Sequence, residues 1–189
     1  MSIVSAESIA SFFDEVVEDA LKARRVDASE TATRYLVGVL VEPHIEAVGK
    51  PLALSLQEAL VTNEPAERFS RLRELGDAVL YASGFFADHF AARGLESRYV
   101  ATIGARAYVS AGALLGGSNG LFDELARRFE EFSQVISEVA ERTLAQQSAH
   151  DPRGLLKLYE RWLKTGSDAT AEALVEHGIF PTRGAKGVQ

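Results

Sequence analysis

A near-heptad apolar pattern between residues 121 and 146 constrains the fold more than any other feature of the sequence. The seam positions follow one another at spacings of four, four, three, four, three and four: Leu121, Leu125, Phe129, Phe132, Ile136, Val139 and Thr143. Because 3.6 residues make one helical turn, these side chains share one face of a helix. The pattern predicts a long helix over residues 121–146, and its seam is of the kind that pairs with a second helix.

The rest of the chain also predicts helices. Gaps between apolar residues are mostly three or four, and no segment shows the two-residue alternation of β-branched residues that is typical of strands. We therefore expect an all-α fold, a single-domain helical bundle of about seven to eight helices over residues 1–181. Residues 182–189 are expected to form a flexible tail.

Polar residues, prolines and glycines place several helix boundaries. The segment 27–30 (Asp-Ala-Ser-Glu) resembles a capping box, and Asn63 precedes a proline in the first turn of another predicted helix. That helix should continue through Gly76, whereas Gly84 marks a kink and Gly94 closes the next segment. The glycine-rich segment 116–120 is expected to be a connector.

Composition excludes several classes of function. The 189 residues include no cysteine, which rules out disulfides, thiolate metal sites and a cysteine nucleophile. The net charge of −7 and the lack of basic runs argue against a nucleic-acid partner. The longest uncharged run, at residues 107–122, is too short to span a membrane, and residues 1–4 do not resemble a signal peptide. We expect a cytoplasmic protein.

Asp77 is the acidic residue most in need of a partner. It lies among apolar residues of a predicted helix, and a buried carboxylate requires a compensating group. Arg98 and Arg106, with Thr102 between them, are spaced four and four and so share a helix face. We predict that Asp77 pairs with Arg98 or Arg106 as an internal tether, and the alternative is that the same charges bind a ligand.

Aromatic and small residues between positions 75 and 115 predict where a ligand would bind. Its candidate contacts surround a face of alanines and glycines in the segment 101–112: Phe85, Phe86, His89, Phe90, Arg106 and Tyr108. Such a site would suit a small apolar molecule or a tetrapyrrole. The plainer interpretation of His89 is a partly exposed residue near a helix end. No metal site and no cofactor are expected, because none of the four histidines completes a Glu-x-x-His pair.

These patterns favour a non-enzymatic helical interaction or regulatory module that binds a protein partner or forms homodimers through the 121–146 seam. The alternative is a helical bundle that binds a small apolar or tetrapyrrole ligand near residues 75–115. An enzyme ranks third, since its acid or base would have to be Asp77, His89 or a tyrosine, and no reaction follows from these. A further apolar stripe at residues 155–163 either packs in the core or binds a partner.

Overall fold

The computed structural model describes residues 6–116, 120–148 and 152–181. The predicted tail at residues 182–189 and most of the predicted connector at residues 116–120 lie outside this range. The described residues form ten α-helices and one 3₁₀ helix and contain no strand, which confirms the all-α class. The count exceeds the predicted seven to eight, and one predicted helix, that at residues 121–146, is divided in two.

The helices follow one another with short connections. Their bounds are α1 Ala6–Arg24, α2 Glu30–Val41, α3 Leu52–Leu60, α4 Pro65–Phe85, α5 Ala87–Ala92, α6 Ser97–Ala113, α7 Gly120–Arg127, α8 Phe129–Ser148, α9 Pro152–Thr165 and α10 Asp168–Glu176. The 3₁₀ helix Ile45–Val48 lies between α2 and α3.

The chain divides into two compact units, Met1–Ser137 and Glu138–Gln189. The first contains α1 to α7 and the beginning of α8, and the second contains the end of α8 with α9 and α10. The single domain over residues 1–181 stays a prediction.

Helix α4 is central to the first unit and packs most extensively against α6. It continues through Gly76 and Asp77, as predicted. A Cβ atom on Gly76 would lie 2.6 Å from the Tyr108 ring, and one on Gly104 would lie 2.2 Å from the Phe129 ring. Both distances are far below van der Waals contact, so these glycines allow helices and rings to approach closely.

Gly84, near the end of α4, and Gly94, after the end of α5, have different roles. Gly84 does not break α4, which ends at Phe85. A Cβ atom on Gly84 would lie 2.4 Å from the Ile136 side chain. Its role is close packing against α8. Gly94 closes α5 as predicted, with a φ of 70° and a hydrogen bond from the Leu95 amide to the Phe90 carbonyl at 3.0 Å.

Ser29 caps the start of α2 and is itself bonded to a distant part of the chain. Ser29, within the predicted capping segment, is the N-cap, and its hydroxyl oxygen accepts a hydrogen bond from the Ala32 amide at 3.1 Å. The Ser29 amide and hydroxyl both donate to the Glu124 carboxylate, at 3.0 and 2.6 Å. These bonds join α2 to α7. At the start of α4 the N-cap is Glu64 instead of the predicted Asn63.

The predicted helix 121–146 is divided at Arg128 into α7 and α8. Seam residues Leu125, Phe129, Phe132 and Ile136 are at most 2% exposed. They are therefore covered by the protein's own chain, and this part of the seam is not available for pairing with a second copy. Self-association of the chain stays a prediction, without a contribution from these four residues.

The second unit has a small apolar core. Ala145 from α8, Leu158 and Trp162 from α9, and Leu174 from α10 form one buried cluster. Gly166 connects α9 to α10 with a φ of 64°, a conformation that favours glycine. The core interpretation of the 155–163 stripe is thus correct for Leu158 and Trp162.

Candidate functional site

Asp77 is the centre of a polar cluster inside the first unit. It lies on α4 and is 5% exposed. The Tyr35 hydroxyl from α2 and the Tyr108 hydroxyl from α6 both donate to its Oδ1 atom, at 2.6 and 2.8 Å. A single carboxylate oxygen therefore joins three helices. We call Tyr35, Asp77 and Tyr108 the tyrosine–aspartate cluster.

Burial controls the ionisation of this cluster. It raises the pKa of the Asp77 carboxyl above its usual range, although the two tyrosine hydrogen bonds and the positive charges of Arg73 and His44 act to lower it. Burial and the neighbouring carboxylate raise the pKa of Tyr35 and of Tyr108 well above the ordinary value. Both phenols therefore stay protonated and remain donors at neutral pH.

The nearest cation to Asp77 is Arg73, one helical turn away on α4. Its Nε atom lies 4.0 Å from Asp77 Oδ2, too far for a hydrogen bond. Arg98 and Arg106, the predicted partners, are exposed, and neither takes part in a salt bridge to Asp77 among the described residues. Asp77 is thus buried, as predicted, but its neighbours are Arg73 and two tyrosines instead of Arg98 or Arg106.

Aromatic rings surround the tyrosine–aspartate cluster. Phe122 contacts the rings of Tyr35 and Tyr108 at centroid distances of 6.0 Å, and Phe129 lies 5.9 Å from Tyr108. Tyr108 itself is fully buried. A nucleophile or general base has to reach its substrate, and this enclosure leaves Tyr108 no such access. The geometry fits a tether between α2, α4 and α6.

The predicted ligand-binding residues have very different environments. Tyr108 belongs to the buried cluster, Phe90 is buried, and Arg106 and His89 are exposed. Phe85 stacks on Tyr81 with a centroid distance of 4.5 Å, while Phe86 is 47% exposed. Tyr108, bonded to Asp77, and Arg106, exposed to solvent, therefore lie in different environments on α6.

Two clefts lie elsewhere in the first unit. One, of about 270 Å³, lies among the 3₁₀ helix, α3 and α4, and its rim includes the Lys50–Glu58 ion pair at 3.0 Å. The other, of about 730 Å³, is an open groove between α1 and α2 with Leu21 and Val26 among many charged residues. Neither cleft includes any of the predicted ligand-binding residues.

Helix α9 of the second unit carries two leucines that are exposed among its described residues. On α9, Leu156 is 60% exposed and Leu163 is 50% exposed, with half-buried Tyr159 between them. The spacings of three and four place these residues on one helix face. We call Leu156, Tyr159 and Leu163 the α9 stripe. The sequence left core packing and partner binding open for residues 155–163, because periodicity alone did not separate the exposed leucines from buried Trp162.

Charged residues flank the α9 stripe. Lys157 and Lys164 are exposed and follow the two leucines directly in the sequence. Phe180, also in the second unit, is 74% exposed. Large exposed apolar side chains close to one another on a helix are typical of a binding surface.

Metal-binding groups and membrane-spanning helices are absent from the described residues. The described ranges hold no group of three or more histidine, aspartate or glutamate side chains placed to bind a metal ion. Within residues 6–116, 120–148 and 152–181, no helix has both the length and the hydropathy needed to cross a membrane. Comparisons of the chain with protein-family models, curated proteins and solved structures found no match. Any function therefore has to be inferred from the chain's own residues.

Proposed function

We propose that the protein is a non-enzymatic helical interaction module and that it binds its partner through the α9 stripe. The observation that carries this proposal is the exposure of Leu156 and Leu163, at 60% and 50%, on a helix that also supplies Leu158 and Trp162 to a buried core. Covering a leucine side chain contributes about 1.5–3 kcal/mol. Because both leucines are already partly covered, a partner would gain less than this from each, so they contribute to recognition as part of a larger contact.

The enclosure of the tyrosine–aspartate cluster supports a non-enzymatic role. Its carboxylate is the most deeply buried acidic group on α4, and both tyrosine hydroxyls are engaged with it. It therefore contributes a rigid scaffold in this proposal and takes no part in chemistry. A chain without cysteine suits a reducing compartment, so we place the module in the cytoplasm.

Affinity capture with matched variants tests the proposal. Tagged wild type, L156Q/L163Q and a control L54Q/V61Q are used as baits, in a native extract and with an untagged copy of the chain. Leu54 and Val61 are 43% and 68% exposed in the first unit, so the control changes the same kind of side chain elsewhere. We expect wild type and the control to retain the same partner and the α9 variant to lose it.

The retained material is identified by mass spectrometry, and circular dichroism confirms that all three baits are helical. If the α9 variant retains the same proteins as wild type in every condition, the α9 stripe is not the binding surface and the proposed function is wrong. Identical retention by wild type and control alone is not sufficient, because only loss in the α9 variant assigns the surface.

A further inference from the structure

We infer that helix α9, together with α10, opens from the end of α8, and that the buried Glu141–Arg161 pair controls how often it does so. This inference rests on the proposed function, because it sets how much apolar surface α9 presents to a partner. In the closed state Leu158 and Trp162 are buried, while the leucines of the α9 stripe are exposed. Opening adds the apolar surface of Leu158 and Trp162 to that of the α9 stripe.

Glu141 is a buried carboxylate with little compensation. It lies on α8 within the second unit and is 2% exposed. Its Oε2 atom is buried and accepts no hydrogen bond among the described residues. Its ion-pair partner is Arg161 on α9, whose Nε atom lies 3.9 Å from Oε1, too far for a hydrogen bond. Burying a charge is costly when the pairing is this loose.

Two further polar atoms of the second unit are buried without a hydrogen bond. They are Nε of Arg161 and the hydroxyl oxygen of Ser167, the N-cap residue of α10. Of the four such side-chain atoms in the described part of the chain, three therefore lie in this unit. Water can bond to all three atoms once α9 and α10 open, so hydration favours the open state.

Few apolar contacts hold α9 and α10 against α8. Among the described residues, the buried cluster contains Ala145 of α8, and half-buried Leu144 packs against it, whereas Leu158, Trp162 and Leu174 come from α9 and α10. An alanine and a half-covered leucine bury little apolar area. Helix α9 has 14 residues, a length at which an isolated helix is only marginally stable. Its backbone amides therefore become accessible to solvent when it opens.

Replacing both charged residues tests the inference. E141M/R161M removes the two charges and keeps similar helix propensities. In hydrogen–deuterium exchange, the amides of α9 should exchange about tenfold or more slowly than in wild type, because the closed state no longer buries a poorly paired charge. E30M/R34M is the matched control. It makes the same substitutions in an exposed ion pair of α2 and should leave exchange in α9 unchanged.

Two single variants sharpen the test. R161M leaves Glu141 buried without its cation, so α9 should exchange about tenfold faster than in wild type. E141Q removes the buried charge with little change in shape, and it should slow exchange in α9. Circular dichroism confirms that each variant is helical.

The direction of the change decides the outcome. Exchange in α9 that is unchanged or faster in E141M/R161M means that the pair stabilises the closed state, and this overturns the inference. If the double variant does not fold, E141Q decides by the same criterion. In wild type the amides of α9 should exchange faster than those of α4, and the reverse order also overturns the inference.

This inference and the proposed function can fail separately. Exchange reports the opening of α9 without a partner, whereas capture with L156Q/L163Q reports the binding surface. Loss of capture in L156Q/L163Q, together with α9 exchange that E141M/R161M does not slow, overturns the opening and leaves the proposed function intact.

Discussion

Two regions of this protein, the tyrosine–aspartate cluster in the first unit and the α9 stripe in the second, depart from the usual distribution of residues in opposite ways. The first buries a carboxylate, Asp77, at its centre, and the second leaves two leucines, Leu156 and Leu163, exposed on α9. Buried charge and exposed apolar surface are both costly, and each requires a compensating contact.

The difference lies in where the compensation is found. Asp77 accepts hydrogen bonds from two hydroxyl groups of its own unit, so the cost of burying it is offset within the folded chain. The α9 stripe has no comparable cover, although Leu158 and Trp162 on the same helix are buried. In our proposal the buried cluster serves folding and the exposed stripe binds a partner.

The largest effect is expected where the tyrosine–aspartate cluster is broken. Asp77→Ala removes the acceptor of two buried hydroxyl groups, and each unpaired group costs about 1–3 kcal/mol. We expect a loss of about 3 kcal/mol in the free energy of unfolding, measured with urea. Asp77→Asn is the control, since its amide oxygen still accepts both hydrogen bonds.

A double-mutant cycle sharpens this test. Tyr108→Phe should cost about 1 kcal/mol in wild type. In the Asp77→Ala background it should cost less, because it removes a hydroxyl that has already lost its acceptor. Equal costs in the two backgrounds would show that the Tyr108–Asp77 hydrogen bond does not contribute to stability.

A somewhat smaller effect is expected at Gly84. A Cβ there would lie 2.4 Å from the Ile136 side chain and 2.8 Å from backbone atoms of Ile136 and Ser137. Gly84→Ala should therefore lower the free energy of unfolding by about 2 kcal/mol through overpacking. Gly38→Ala is the matched control in α2, where a Cβ meets nothing within 4 Å, and it should raise stability by about 0.5–1 kcal/mol. Similar melting temperatures for the two variants would contradict the close contact of α4 with α8.

The sequence predicted the buried state of Asp77 but not its partners. Helical periodicity identifies the face on which a residue lies, and Asp77 shares its face with core residues. Periodicity also places Arg98 and Arg106 on one face of α6, and in the structure that face is exposed. Tyr35 lies 42 residues before Asp77, and only the packing of α2 against α4 brings their side chains together.

The same limit applies to the seam at residues 121–146. Its spacing correctly identified residues that need cover, such as Phe129 and Ile136. Which surface provides that cover depends on tertiary contacts, including the space left by Gly84 and Gly104. A heptad-like spacing is compatible with a core helix as well as with a dimer. In this chain tertiary packing, which spacing does not encode, places Phe129 and Ile136 in a core.

A pH-dependent effect on stability is expected from Asp77. Its pKa in the unfolded chain is about 3.9, and burial raises it in the fold. The folded state therefore favours the protonated carboxyl. The free energy of unfolding of the wild type, relative to that of Asp77→Asn, should be highest below about pH 3.9. The difference should fall as pH rises through the folded pKa and then become constant. Urea unfolding of both proteins across this pH range measures it. A difference that grows with pH would mean that the tyrosines and Arg73 outweigh burial.

The smallest effect on stability is expected at the α9 stripe. Leu156 and Leu163 are largely exposed in the folded chain, so L156Q/L163Q should change the free energy of unfolding by less than about 0.5 kcal/mol. Leu158→Ala, two residues away in a buried position, should cost about 2–5 kcal/mol. Urea unfolding at low protein concentration makes this comparison without association. A large loss in L156Q/L163Q would show that these leucines stabilise the fold. A negligible loss, combined with lost binding, would separate recognition from folding on a single helix.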